Sequence, residues 1–445
     1  IAQVKPAPSP VDRLLLVAAA ARFVVDVAAQ SPYAEFASRV PVSGSAYTYT
    51  YATMGELMAW VIGWDLVLEY AVGAATVGIA WSEYLNKLLV EVLHTSPIPY
   101  EWCHSPFQSH PDGTVNGIIN LPALFIVALL SLLLIKGTSE SAFVNGVIVI
   151  TKVGIVILII VLGWGFIHEA NHHPYIPEAT IYKDHAGISH SFGGFWGVIG
   201  AAGTVFFAFI GFDAVSTAAQ EAKNPKRDMP IGILGSLVVC TILYILFGHV
   251  LTGVAPWTDF VDPEKGREAS VAYAISTYMT GYGWLATAVT VAILAGFSSV
   301  ILVMLMGQSR VFYSMANDGL LPKIFSELHP KFRTPYKSNW ILFVFVGGFA
   351  AFVPGNVAGD LTSFGTLFAF VLVSLGIWIL RRKSPDMERP FKTPLVPLVP
   401  ILGAVICLAM IFALDAQTLK VAFAWMALGL VVYFVYSRRH SKLND

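Results

Sequence analysis

The sequence predicts an all-α polytopic membrane protein, and three observations carry that prediction. First, 56% of the 445 residues are hydrophobic and only 12% are charged. A soluble domain carries about twice that charge. Second, the chain contains a succession of apolar runs, many of them near the ~20 residues that a membrane-crossing helix needs. Third, the basic residues fall on alternate connections between those runs.

Taken in order, residues 1–32 form an atypical N-terminal segment. Its one apolar stretch is interrupted by Asp12, Arg13, Arg22 and Asp26, so it is assigned no crossing, and it lacks a clean signal-peptide core. Residues 33–56 read as the polar end of a span, a turn at Pro41 and Gly44, and an interfacial helix bearing Tyr47, Tyr49 and Tyr51. Aromatic side chains of that kind suit the membrane surface. Ten runs follow, at roughly 57–90, 118–135, 142–167, 194–219, 231–254, 283–307, 339–354, 361–380, 396–414 and 418–437. Unbroken hydrophobicity makes them helices, because a membrane barrel would alternate apolar and polar residues. The first is long enough to tilt strongly or to extend past the bilayer. The domain organisation is therefore 1–32, a transmembrane domain over 33–437, and a tail over 438–445.

Placing residues 33–56 in the cytoplasm puts eighteen Lys and Arg on that side: Arg39, Lys136, Lys223, Lys226, Arg227, Arg310, Lys323, Lys331, Arg333, Lys337, Arg381, Arg382, Lys383, Arg389, Lys392, Arg438, Arg439 and Lys442. The opposite side holds five, namely Lys87, Lys183, Lys265, Arg267 and Lys420. Positive charge stays inside, so the C-terminus is expected in the cytoplasm of a multi-pass plasma-membrane protein.

The net charge of −1 says nothing about partners, and nothing points to nucleic acid. No phosphate-binding loop, dinucleotide fingerprint or nucleophile elbow is present, and no nucleophile–base pair stands out, so an enzyme is not expected. Cys240 and Cys407 lie inside apolar runs and Cys103 in a loop, without metal-ligand spacing. Two outer loops are rich in histidine: His94, His104 and His110 in one, His168, His172, His173, His185 and His190 in the other. They are read as solvated polar loops, with no metal or cofactor expected.

The functional residues lie inside the runs. The stretch 194–230 begins as a span and is interrupted at Phe207, Ala208, Phe209, Ile210, Gly211 and Phe212, with Asp213 next, still at membrane depth. A break there exposes backbone polar groups, tolerated only beside a protein-lined cavity, and secondary transporters hold substrates at such breaks. Lys152 lies about 15 Å into its span at 1.5 Å per residue, beyond snorkelling reach of either surface. An ammonium at that depth pairs, binds carbonyls or loses its proton. It reads either as a proton-coupling group standing in for a sodium ion or as half of a static ion pair. Asp65 and Glu69, four residues apart, share a helical face; Glu69 is the deeper and a candidate partner for Lys152. Gly296, Ser298 and Ser299 mark a helix that neighbours approach closely, and Met304 is a candidate for sizing a pocket.

Three segments, YAEFASRVPVSGSAYTYTYATMGELMAWVIGWDLVLEY, FFAFIGFDAVSTAAQEAKNPKRDMPIGI and QSRVFYSMANDGLLP, resemble the amino acid–polyamine–organocation superfamily, most closely its cationic amino acid transporter branch. The resemblance covers residues 33–437. It implies two inverted five-helix repeats plus two extra helices, with a discontinuous sixth helix at 194–219. Carbonyls from Phe207 to Ile210 would take the substrate amino group. Lys152 matches the fifth-helix lysine that occupies a sodium site in proton-coupled members, and Asp213 matches the acid after the break. Residues 1–32 lack the family's glycine-rich first helix, so about ten of the usual twelve spans are recognisable and the carboxylate half of the site is not carried over.

The expectation is a secondary active transporter importing cationic or small neutral amino acids by alternating access, with the proton as coupling ion. The second reading is a non-transporting amino acid-binding membrane protein, sensor or partner subunit, or an inactive truncated permease. The lipid bilayer and the substrate are the expected partners; a small membrane subunit and a sterol are left open.

Overall fold

A computed structural model describes residues 31–37, 45–110, 114–137, 141–174, 176, 178–183, 189–194, 211, 215, 224–256, 259, 271–386 and 389–442. The described helices are α1 (Ser45–Met54), α2 (Glu56–Val90), α3 (Leu121–Lys136), α4 (Ser141–Gly163), α5 (Pro225–Val254), α6 (Val271–Tyr278), α7 (Gly283–Asn317), α8 (Tyr336–Phe352), α9 (Gly355–Lys383), α10 (Leu398–Phe412) and α11 (Ala416–Val432). Among the described residues, six stretches are long and apolar enough to cross a membrane: Glu56–Val90, Gly146–Phe166, Pro225–Val254, Gly283–Asn317, Val357–Lys383 and Ala416–His440. Helices α3 and α10 are shorter and apolar. The segment 1–30 and, apart from residues 194, 211 and 215, the run predicted at 194–219 lie outside the described residues. The second histidine-rich loop carries one feature that the sequence did not predict, an antiparallel hairpin of β1 (Thr180–Lys183) and β2 (Ser189–Phe192), with Ile181 opposite Ser191.

Local chemistry sets the helix ends. Asn120 caps α3 by accepting from the amide of Ala123 at 3.1 Å, with Pro122 in the first turn, satisfying an amide that has no partner inside the helix. Asp415 caps α11 by accepting from the Gln417 amide at 2.8 Å. The 35-residue α7 stops at Gly319, whose φ of +85° is costly for any side chain. There the Leu320 amide donates back to the Met315 carbonyl at 2.9 Å, closing the last turn.

The principal core is built around α2. Gly63 and Gly73 face Met315 and Met304 of α7, and Tyr70 lies over Gly307 of α7. Gly365 of α9 seats directly on the α2 backbone, its missing Cβ 2.9 Å from Cβ of Leu68 and 3.1 Å from the Glu69 amide nitrogen. In lipid there is no hydrophobic force between helices, so small residues that admit close contact decide which helices associate. A tryptophan seam fastens α11 to the other side of α2. Trp60 donates its indole N–H to the Gly429 carbonyl at 2.8 Å and Trp64 donates to the Trp425 carbonyl at 2.9 Å. The Trp64 and Trp425 rings stack at 4.7 Å.

A second, smaller core joins α4, α5, α6 and the start of α7 through Ile159, Ile160, Val250, Val254, Ile275 and Leu285. The outward faces of α4 and α5 are apolar and uncovered, as at Ile150, Val161, Ile231 and Val239. Those are lipid-facing positions for helices of this composition.

Candidate functional site

Lys152 sits eleven residues into α4, about 16 Å along it, on the side that meets α7. Its ammonium donates to the Gly296 carbonyl at 2.9 Å. That contact exists because position 296 is glycine: a Cβ there would lie 2.7 Å from the lysine Cε. The carbonyl dipole supplies part of the compensation that water cannot supply at this depth. Glu69, the predicted partner, is not the group that Lys152 meets, because the lysine is engaged by α7. One of the three routes open to a buried ammonium, carbonyl binding, is therefore the one observed.

Glu69 is buried within a π-helical turn, Val67–Val72, that interrupts α2. A π-turn shifts hydrogen bonding from i+4 to i+5 and leaves carbonyls less tightly engaged, and such turns are frequent at functional sites. The close seat of Gly365 against Leu68 and Glu69 lies on the same turn. Asp65 precedes it and is completely buried. Met304 is buried in the α2–α7 contact, its sulfur 3.2 Å from where a Cβ of Gly73 would be. Ser298 spends its hydroxyl on the Leu294 carbonyl of its own helix at 2.9 Å.

Of the predicted substrate-binding residues, Phe207, Ala208, Phe209, Ile210 and Asp213 lie outside the described residues. Gly211 is described. Its φ is +105° and nothing lies within 4 Å of the position a Cβ would take. A right-handed helix does not pass through a residue with that φ.

The face that holds Glu56 carries two polar assemblies that the sequence did not announce. In the first, Glu35 is buried and accepts from Arg381 at 2.8 Å and from the Thr393 amide at 2.7 Å, with Arg389 Nε 3.4 Å away. In the second, the chain's last described residues close over the helix ends. Tyr433 and Ser441 both donate to Glu56, the Lys442 amide donates to the Asp318 carbonyl at 3.1 Å, and Tyr47 donates to the Asp318 carboxylate at 2.6 Å. Burial and the Asp318 carboxylate raise the Tyr47 hydroxyl far above the usual phenol range. Partners hundreds of residues apart leave no local pattern to read; the nearest signal was the charge of Glu35 and Arg381 at the ends of otherwise apolar runs.

The histidine-rich loops are occupied by packing. His104 stacks on Tyr100 at 3.7 Å and His172 on His249 at 4.4 Å. Among the described residues no three His, Cys, Asp or Glu side chains converge as a metal site would require.

Comparison with known proteins bears on the whole of this arrangement. The amino acid permease family profile matches residues 11–436. The chain is 42% identical to the branched-chain amino acid permease BcaP of Bacillus subtilis (strain 168), over 93% of this chain and 83% of that protein. It is 39% identical to the methylthioribose transporter of the same organism, again over 93% and 83%. It is 31% identical to the human cationic amino acid transporter 4, over 82% of this chain and 54% of that protein. A family match across nearly the whole chain, on a bundle of apolar helices with a lysine held at mid-membrane, leads to one conclusion: the chain belongs to the amino acid permease family of the amino acid–polyamine–organocation superfamily, and it is a multi-pass membrane transport protein.

Proposed function

We propose that this permease imports amino acids across the plasma membrane by alternating access, coupled to protons, with its C-terminus in the cytoplasm. The observation that carries the coupling is the Lys152 ammonium held on the Gly296 carbonyl. A cation bound to a carbonyl between two helices does what a bound sodium ion does: it fastens α4 to α7. Loss of its proton removes the charge and one of its three donors, and weakens that contact. Glu69, on the π-turn of α2, is the carboxyl that exchanges the proton.

The substrate is placed at the 207–213 interruption. In this reading Phe207, Ala208, Phe209 and Ile210 supply the carbonyls for its ammonium group, with Gly211, Asp213 and Met304 as the further substrate-binding residues. An ammonium suits carbonyl ends of a broken helix. The relatives' names support neutral branched-chain or cationic side chains.

The test is uptake of labelled leucine, alanine and arginine into proteoliposomes with and without an inward proton gradient. Accumulation that follows the gradient in the wild type and is lost in Lys152→Ala is expected. Uptake indifferent to the gradient sinks the coupling. One relative favours a second reading of the substrate, because its name specifies methylthioribose. Competition of that sugar with leucine uptake decides between the two.

A further inference from the structure

Among the described residues, several fully buried polar side chains have no hydrogen-bonding partner, and two of them, Asp65 and Gln308, leave two polar atoms each unengaged. Asp65 on α2 is 0% exposed and neither carboxyl oxygen is engaged; Gln308 on α7 is 0% exposed and neither its amide oxygen nor its nitrogen is engaged. Roughly nine in ten buried polar atoms find a partner, so four unengaged atoms call for an explanation. Their polar neighbours do not share the problem. Thr362 and Thr366 of α9 donate to carbonyls of their own helix at 2.9 and 3.0 Å, and Ser309 of α7 does the same at 2.9 Å. Neither Asp65 nor Gln308 makes such a bond.

Their placement is specific. Asp65 lies in the last α-helical turn before the π-turn, four residues ahead of Glu69 and nine beyond Glu56. Its own carbonyl oxygen lies 3.3 Å from where a Cβ of Gly365 would be. Gln308 follows Gly307, which lies under Tyr70 one residue past Glu69. Asp65 thus lies one helical turn from Glu69 on α2, and Gln308 is next in sequence to the α7 glycine that the Tyr70 ring covers.

Among the described residues, no charge on the surrounding helices compensates Asp65. On α9, Asp360 faces Thr418, Arg381 is bound to Glu35, Lys383 to the Thr53 carbonyl and Arg382 lies over Trp378. On α7, Arg310 is engaged by another group, and on α11, Lys420 is exposed. From α1, Tyr47, Tyr49 and Tyr51 are the titratable groups, and Tyr47 is bound to Asp318. An uncompensated carboxylate is costly inside a membrane protein, whereas a carboxyl that holds a proton carries no charge to compensate.

We propose that Asp65 is a second proton-carrying carboxyl of the transport cycle, placed between Glu69 and the face that bears Glu56. The step is balanced. The Asp65 O–H bond breaks when the Glu56 side opens and the proton goes to bulk water. The O–H bond of protonated Glu69 then breaks and a new one forms on an Asp65 oxygen, through a water that the Gln308 amide can hold on both sides. The proposal rests on the proton-coupled reading above.

The experiment compares wild type and Asp65→Asn in proteoliposomes, measuring leucine accumulation driven by a proton gradient and leucine counterflow at equal pH on both sides. The ratio of gradient-driven accumulation to counterflow is expected to fall at least tenfold in Asp65→Asn. If the wild type follows the gradient and the variant keeps its ratio, Asp65 is not a carrier, while the coupling reading survives. If the wild type ignores the gradient, both fail. Should Asp65→Asn not fold, infrared difference spectra of Glu69→Gln on adding leucine provide the second measurement. A protonated-carboxyl band that changes with leucine supports the proposal, and its absence overturns it.

Discussion

Two regions of this bundle meet the membrane in opposite ways. In the most apolar stretches of α2 and α9, 78% of the residues are buried by the protein itself; in those of α4 and α5, 17% are. The buried pair carries Asp65, Glu69, Thr362, Ser363, Thr366 and Ser374 in its interior. The lipid-exposed pair carries aliphatic side chains outward, and its one mid-membrane charge, Lys152, is turned to α7. Polar chemistry in a membrane is placed where neighbouring backbone excludes lipid. The difference also assigns roles. The α2–α7–α9 centre is a close-packed frame held by glycines, whereas α4 meets α7 through the Lys152 ammonium on the Gly296 carbonyl.

The largest effect is expected at the frame's charged end. Glu35→Gln leaves Arg381 and Arg389 beside a neutral group, and removing one partner of a buried ion pair costs about 3 kcal/mol or more. Thermal unfolding of the detergent-solubilised protein should show a clear fall in Tm. An unchanged Tm would mean that the frame does not depend on this pair.

Next come paired glycine substitutions that set the frame against the lipid-facing helices. Gly365→Ala places a methyl 2.9 Å from a side-chain Cβ and 3.1 Å from a backbone nitrogen, neither of which can swing away. Overpacking of this kind costs about 1–3 kcal/mol. Gly235→Ala on α5 meets open space and should gain about 0.5–1 kcal/mol from reduced backbone freedom. Opposite signs from the same substitution, read as Tm, sharpen the comparison, and equal signs break it.

Gly296→Ala separates function from fold. The new methyl would overlap the flexible end of Lys152, which can move, so stability should hold while the ammonium leaves its carbonyl. Gradient-driven uptake is expected to drop about tenfold, the equivalent of one hydrogen bond of roughly 1.4 kcal/mol. Gly154→Ala, on the same helix with open space around it, is the control and should transport normally.

The smallest effect lies outside the spans. Tyr278 donates to Asp259, and that bond pushes its phenol up to about 12. A folded value above the unfolded one means that the stabilisation is present below about pH 10 and is lost as pH rises through about 12. Alkaline absorbance titration should show one late-ionising tyrosine that disappears in Tyr278→Phe.

How much of this was legible in the chain can be judged residue by residue. The spans, the depth of Lys152 and the isolation of Glu69 in an apolar run follow from counting residues at 1.5 Å each. The positive φ at Gly211 agrees with a chain that cannot continue straight through that position. What counting did not reveal is the partner of Lys152. A carboxylate on α2 was the chemically obvious choice, yet a backbone carbonyl on α7 takes the place, because a missing side chain at Gly296 opens the approach. Glu35 with Arg381, and Glu56 with Ser441, were equally invisible, each pair separated by more than three hundred residues.

The sequence by itself determined that this is a helical membrane protein, because hydrophobic run length and charge asymmetry are local properties that the bilayer reads directly, and the resemblance of segments such as FFAFIGFDAVSTAAQEAKNP pointed to the family. Only the tertiary structure decided which polar groups meet within it. In lipid the apolar surfaces of helices are interchangeable, so glycine seats such as Gly365 and Gly296 select the neighbours, and the neighbours determine which buried polar group is satisfied, as Lys152 is, and which is not, as Asp65 is not.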